Sequence, residues 1–186
     1  MTTTGDTSLA RTRLLLDRAR YLNLATVSPD GRPWAATLEY AWHPAPLRFV
    51  FGSARESRHG RDIAHDRAVS GTLFVGPSTP GLDIDAVDGA QFTGDCREVP
   101  EDELDEYHAH FYRSVFPDPG QRDRYRLPTS RLCAPAPHRL YLVVVRQWWL
   151  NDTSTWERDR IDRRTEVPAA DLNVMSSTLD IQAGGI

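Results

Sequence analysis

Residues 86–99 carry the pattern that most restricts the fold of this chain, a strict alternation of side-chain character. One series is small or apolar and comprises Ala90, Phe92, Gly94 and Cys96, and the other is polar and comprises Gln91, Thr93, Asp95 and Arg97. Neighbouring side chains of a β-strand point to opposite faces of its sheet. The alternation therefore predicts a long antiparallel strand with one face on a core and the other facing water or a ligand.

Further strands and helices are predicted along the chain by short apolar runs and by capping signals. The strands are expected at 21–27, 33–42, 47–51, 68–75 and 140–150, and the helices at 8–20, 57–66 and 100–115. The turn 28–31 joins the first two strands as a hairpin, because Pro29 sets φ and Gly31 accepts a positive φ. About six strands joined mostly by hairpins predict a mainly β fold with α, a six-stranded antiparallel Greek-key-type barrel with peripheral helices.

The length of 186 residues suits one domain. We expect this domain to span residues 9–165, between a disordered N-terminus (1–8) and a flexible tail (166–186), with a surface loop at 117–137. A net charge of −4 argues against nucleic acid as a partner. No apolar run is long enough to cross a membrane and the N-terminus lacks the order of a signal peptide, so the cytoplasm is the expected compartment.

All 22 Lys and Arg positions are arginine. Chemistry that needs a Schiff-base lysine or a Walker A lysine is therefore excluded. Cys96 and Cys133 have no motif spacing and are expected to be free thiols. The six histidines show no zinc-binding spacing, so no metal site is predicted, and His108 on an apolar helical stripe is expected to be a packing residue.

Residues 47–63 predict a strand, a polar turn and a helix that begins at a serine. Ser57 is a suitable N-cap, and Arg55, Arg58 and His59 crowd the same helix end. Free N–H groups, the helix dipole and guanidinium groups all favour a phosphate there. A capped, arginine-rich helix start of an ordinary crossover has the same pattern, so both interpretations stay open on these residues alone.

Three segments in order, 25–33, 51–59 and 66–72, resemble the FMN-binding split barrels of the pyridoxamine 5'-phosphate oxidase-like family. Members typically carry a T-x-x-x-D-G-x-P hairpin, a (Y/F)-x-(T/S)…S-(R/K)-(K/H) turn and helix, and a (D/N)-P-R-V-(A/S) strand entry. The runs at 89–94, 113–117 and 150–153 are similar to motifs of its YhbP-like branch. The resemblance covers roughly residues 10–160.

The resemblance implies a homodimer with two flavin sites at the subunit interface. It assigns the FMN phosphate to the second segment and the flavin ring to residues of other strands. The residues that match the phosphate segment are Phe51, Ser53, Ser57, Arg58 and His59. The second-strand segment of Thr37, Leu38 and Glu39 matches the segment whose backbone usually lies against the ring. Gln91 from the partner subunit and Trp148 or Trp149 match further positions near the ring.

Departures from the family pattern qualify the expected activity. His59 stands where many members have lysine, so FMN binding is expected to weaken as pH rises through its titration. The second strand lacks the Arg and Lys of true oxidases and has Glu39, the candidate catalytic residue. The C-terminal signature that holds pyridoxal phosphate is also missing. We therefore expect an FMN-dependent oxidoreductase acting on a small molecule, and not a pyridoxamine phosphate oxidase.

Two alternatives remain on the sequence. One is a non-catalytic flavin-binding or cofactor-free barrel. The other is a variant of the same fold that binds deazaflavin F420 or haem. F420 needs a basic groove for its acidic tail, which arginines of the 117–137 loop would supply, and haem needs a histidine ligand.

Overall fold

Eight strands form one antiparallel sheet in the computed structural model, which describes residues 4–76 and 88–175. The strands are β1 (Tyr21–Val27), β2 (Pro33–Glu39), β3 (Ala41–His43), β4 (Arg48–Ala54), β5 (Ala68–Val75), β6 (Asp88–Glu98), β7 (His138–Asp152) and β8 (Arg163–Glu166). The helices are α1 (Thr4–Arg18), α2 (Arg58–His65), α3 (Leu104–Val115), α4 (Pro119–Tyr125), α5 (Trp156–Asp159) and α6 (Ala169–Val174), with a 3-10 turn at Thr129–Arg131.

The strand order is β2-β1-β5-β6-β7-β4-β3, with β8 paired to β7. The two edge strands, β2 and β3, are therefore separated along the chain by a single residue, Tyr40. Because one residue spans less than 4 Å, the sheet has to curl until its edges meet. This curling makes the sheet a barrel that stays open at one seam, with the helices outside it, and the predicted fold class is confirmed.

Two apolar clusters lie on opposite sides of the central strands β4 and β7. Phe49, Phe51 and Trp148 point into the barrel, whereas Val50 and Leu142 pack beneath α3. Strands buried on both faces are expected to read as continuous apolar runs, which explains the sequence of both strands. The predicted alternation of β6 is confirmed, since its small and apolar series is buried and its polar series is partly exposed.

Residues 4–76 and 88–175 contain eight strands where about six were predicted. Tyr40 interrupts the expected strand 33–42, because its ring turns inward and packs edge-on against Phe49, 5.4 Å between ring centroids. The second additional strand, β8, carries four polar residues and lacks an apolar period. Gly31 has the predicted positive φ, 78°.

Segments predicted to lack structure contain helices. Helix α1 begins at Thr4, inside the stretch 1–8 expected to be disordered, and α4 lies in the expected loop 117–137. The expected tail 166–186 contains α6, whose Leu172 is buried in the main core together with Val167 and Met175. Burial of these three apolar side chains holds this part of the tail against the barrel; residues 176–186 lie outside the described residues.

Both cysteines are free, and burial raises the pKa of the Cys96 thiol. Within residues 4–76 and 88–175, every helix is too short or too polar to cross a lipid bilayer. His108 is a packing residue, buried with its Nε2 2.6 Å from the carbonyl oxygen of Leu127.

Candidate functional site

The start of α2 brings together three of the predicted phosphate-binding side chains. Ser57 caps the helix, and its Oγ accepts a hydrogen bond from the backbone N–H of Gly60 at 3.1 Å. Ser53, at the end of β4, lies with its Oγ 3.3 Å from Ser57 Oγ and 2.7 Å from His59 Nε2. We call Ser53, Ser57, Arg58 and His59 the α2 cradle.

His59 contributes hydrogen bonding to the cradle and little charge. Its side chain is buried, and this burial lowers the pKa of the imidazole, although the nearby Asp62 carboxylate acts in the opposite direction. With Ser53 donating to Ser57, the His59 Nε2–H donates to Ser53. The Ser57 hydroxyl hydrogen then remains for a ligand.

Arg58 extends from the first turn of α2 toward the β1–β2 hairpin. Its guanidinium carbon lies 5.2 Å from the centre of the Trp34 ring, and its Nε lies 4.0 Å from Asp62 Oδ2. Asp62 is buried and accepts a hydrogen bond from Thr26 Oγ1 at 2.8 Å. The Trp34 ring and a fixed carboxylate thus orient the guanidinium, and the Arg58 side chain as a whole is still 38% exposed.

Arg55 is turned away from the cradle, although the sequence places it at the same helix end. Its Nε pairs with Glu98 Oε1 at 3.2 Å, and Arg139 Nε holds the other carboxylate oxygen at 3.1 Å. Phe51 is also outside the cradle. Its ring is fully buried and stacks on Tyr141 with centroids 5.1 Å apart, so it supports the cradle from behind.

The outer side of five adjacent strands forms a continuous surface, which we call the sheet face. Strand register aligns one row across β2, β1, β5, β6 and β7, namely Thr37, Asn23, Thr72, Gln91 and Trp149. The next row consists of Ala35, Ala25, Ser70, Thr93 and Gln147. Neither row contains a charged side chain, and a cavity of about 430 Å³ is lined by all of these residues except Thr37 and Gln147. Three predicted ring-contact residues, Thr37, Gln91 and Trp149, therefore share this face.

Two other residues expected near the flavin ring do not present their side chains on the sheet face. Leu38 points away from the sheet face and packs against the main core, so it can offer a ligand only its backbone. Trp148 is fully buried, and its Nε1 donates to Thr12 Oγ1 at 3.1 Å. Trp149 is thus the tryptophan of this pair that reaches the sheet face.

Glu39, the candidate catalytic residue, ends β2 in an exposed ion pair. Arg20 donates from Nε and Nη2 to Glu39 Oε1 at 3.3 and 2.9 Å, and this hydrogen bonding raises the pKa of Arg20. Glu39 also lines a groove of about 630 Å³ between α1, the β2–β3 corner and the end of α3. This groove is separate from the α2 cradle, since none of the four cradle residues lines it.

Sequence reasoning missed Thr26, Trp34 and Asp62. The spacing of Asp62 four residues after Arg58 was a usable signal, because such residues are neighbours on a helix. Among residues 4–76 and 88–175, no group of three or more His, Cys, Asp or Glu side chains is arranged to hold a metal ion.

Solved structures from several bacteria share this architecture. A haem-binding protein from Mycobacterium smegmatis matches with a TM-score of 0.66 at 15% identity, over 99% of this chain and 70% of that one. HutZ, a haem storage protein from Vibrio cholerae, matches with a TM-score of 0.53 at 18% identity, over 74% and 89%. An FAD-binding protein from Mesorhizobium loti gives 0.53 at 18% identity, over 75% and 90%. At sequence identities this low, the structural similarity shows a shared fold and nothing more.

No curated protein sequence matches the chain. Residues 10–143, however, match the family profile described as pyridoxamine 5'-phosphate oxidase. The profile covers most of the chain, and the barrel agrees with the architecture of the solved structures. On this evidence the chain belongs to the pyridoxamine 5'-phosphate oxidase family and has its split-barrel fold.

Proposed function

We propose that this protein is an FMN-dependent oxidoreductase that acts on a small molecule as a homodimer, with its flavin sites at the subunit interface. The observation that carries the proposal is the α2 cradle, in which hydroxyl groups and one oriented guanidinium meet the start of a capped helix. When bound, FMN supplies the hydride or electron chemistry, and the protein supplies binding and orientation.

The cradle suits a phosphate by its donors. The first N–H groups of α2 and the positive end of its dipole favour an anion, and Ser53 and Ser57 add hydroxyl groups. Within the cradle the fixed positive charge comes from Arg58, because Glu98 holds Arg55 outside the cradle and burial lowers the pKa of His59. Arg58 is therefore expected to dominate the affinity for the phosphate.

The sheet face suits a flat ring and a second subunit. Its two central rows present small or uncharged side chains, whereas a solvent-facing strand surface normally carries charges. Exposed Tyr21, Val27 and Phe74 lie on the same strands. A partner that covers this face would bury the apolar groups and enclose a ring beside Thr37, Gln91 and Trp149.

The substrate is proposed to differ from pyridoxamine phosphate. Strand β2 offers no Arg or Lys for a second phosphate, and its one charged residue, Glu39, is paired with Arg20. Haem is the alternative suggested by the names of two solved relatives. His110 is the histidine that lines the groove, and its Nε2 lies 2.9 Å from the carbonyl oxygen of Trp42, which argues against it as an axial ligand.

The absorption spectrum of freshly purified protein tests the cofactor. Two flavin bands support the proposal, whereas a Soret band, a deazaflavin band or no colour after incubation with FMN would refute it. Arg58→Ala then tests the cradle. Loss of a charged hydrogen bond costs about 1.5–3 kcal/mol, so the Kd for FMN is expected to rise about 10- to 100-fold.

Two controls make this measurement specific. Riboflavin lacks the phosphate, so its affinity is expected to be the same in Arg58→Ala and in the wild type. Arg67→Ala removes the same charge from an exposed position after the opposite end of α2 and is expected to bind FMN normally. The assignment of the phosphate to the cradle would be contradicted if Arg58→Ala lost the same affinity for riboflavin as for FMN. It would also be contradicted if Arg67→Ala lost as much FMN affinity as Arg58→Ala.

A further inference from the structure

The groove beside Glu39 is separate from the α2 cradle and from the sheet face. It lies at the seam of the barrel, where the chain leaves β2 and enters β3, and it is closed on one side by the last turns of α1. Its volume of about 630 Å³ falls in the range of small-molecule sites. Of the predicted flavin-contact residues and the candidate catalytic residue, Glu39 alone lines it.

The groove combines an apolar floor with a basic rim. The floor is formed by buried Leu16, Ala19 and Tyr40, and half-buried Trp42 forms one wall. The charged residues that line the groove are three arginines and two carboxylates, namely Arg13, Arg18, Arg20, Asp17 and Glu39. The lining therefore has a formal net charge of +1 when His110 is neutral. Burial lowers the pKa of His110, which supports that charge state.

The anionic end of a ligand has one well-placed partner. Arg20 holds Glu39 through a single carboxylate oxygen, and its own side chain is 69% exposed. Exposed ion pairs contribute about 0–1 kcal/mol. A ligand carboxylate would therefore displace Glu39 from Arg20 at little cost and would offer the guanidinium a bidentate partner.

We propose that this groove binds a small carboxylate with a flat apolar body, with the carboxylate on Arg20 and the body against Trp42. Binding there releases Glu39 from Arg20 at the end of β2. The site stands on its own residues and does not depend on the flavin assignment. If the protein is also a flavoenzyme, the groove is the place from which a carboxylate substrate or effector reaches β2.

Calorimetry with 2-naphthoate, and with neutral 2-naphthamide as its matched control, tests this assignment on the purified protein. The naphthoate is expected to bind about fivefold more tightly, since a bidentate contact with the exposed Arg20 reaches the upper end, about 1 kcal/mol, of the range for exposed ion pairs. Arg20→Gln is expected to remove that preference. Arg32→Gln, an exposed arginine paired with Asp30 in the β1–β2 turn, is expected to retain it.

Ser114→Trp locates the binding. Ser114 is exposed on α3 at the groove, so a large side chain there would fill the space and abolish binding of both compounds while the protein keeps its circular dichroism. Absence of naphthoate binding at millimolar concentration, equal affinity for the two compounds, or undiminished binding in Ser114→Trp would each overturn the proposal. FMN affinity is measured separately in each variant, so failure here is distinguishable from failure of the flavin assignment.

Discussion

Gly60 lies in the first turn of α2, where the helix approaches the end of β4 too closely for a side chain. A Cβ atom at this position would lie 2.9 Å from Tyr141 Oη and 3.0 Å from the carbonyl oxygen of Ala54, and closer still to that of Arg55. Contacts under 3.0 Å are essentially absent for real Cβ atoms. Two of the three neighbours are backbone atoms that cannot rotate away, so Gly60→Ala has to displace α2.

The expected cost follows from two opposing effects. Alanine is favoured over glycine in a helix by about 1 kcal/mol, whereas overpacking costs about 1–3 kcal/mol. Backbone neighbours put the overpacking at the upper end of that range, so the free energy of unfolding is expected to fall by about 2 kcal/mol. For a chain of this length the melting temperature would fall by about 4–8 °C. Displacement of α2 also moves Ser57 and Arg58, so FMN affinity is expected to fall.

Gly120→Ala is the matched control, because Gly120 also lies in the first turn of a helix, α4. Its nearest neighbour is the far end of the Asp118 side chain at 3.4 Å, with no backbone atom close by. This substitution is expected to leave the melting temperature unchanged or to raise it. Thermal unfolding followed by circular dichroism measures both variants. A Gly60→Ala protein that melts at or above the wild type would refute the reasoning.

Two pH dependences follow from buried histidines. Burial lowers the pKa of His43 to about 3, and the nearby His110 and Arg48 add to this effect. His43 therefore binds a proton more readily in the unfolded chain than in the folded one. The free energy of unfolding should fall as pH drops from about 6.5 toward 3, by up to about 1.4 kcal/mol per pH unit. His43→Phe should show a shallower fall in urea titrations across that window, and an identical slope would contradict the assignment. Because burial also lowers the pKa of His59, FMN affinity should be constant as pH rises above 7. A steep loss of affinity between pH 7 and 8 would show that His59 is charged.

Elements with a clear local period were predictable from the sequence. Strands β1, β5 and β6 and helix α3 follow their apolar periods, and the cap at Ser57 depends on residues within one turn. The break at Tyr40 was not predictable, because residues 33–42 read as one run and the break depends on packing against Phe49. Strand β8 has no apolar face and exists through its pairing with β7.

The chemistry of the candidate site depends on contacts between residues distant in sequence. Arg55 was expected in the cradle, and Glu98 on β6 removes it. Asp62 orients Arg58 only because Thr26 on β1 holds the carboxylate in place. The titration of His59 likewise depends on burial. The sequence therefore predicted which segment forms the cradle, whereas the charge that each cradle residue contributes depends on the folded structure.

The single-residue connection between the two edge strands has a consequence for ligand binding. One residue has no slack, so a displacement of β2 is transmitted to β3 and on to the elements packed against it. A ligand on the sheet face and a ligand in the groove would then both shift the position of β2 and β3. By thermodynamic reciprocity, whatever factor the groove ligand imposes on FMN affinity, FMN imposes the same factor on the groove ligand. Paired titrations of either compound in the presence of the other would measure this coupling free energy directly.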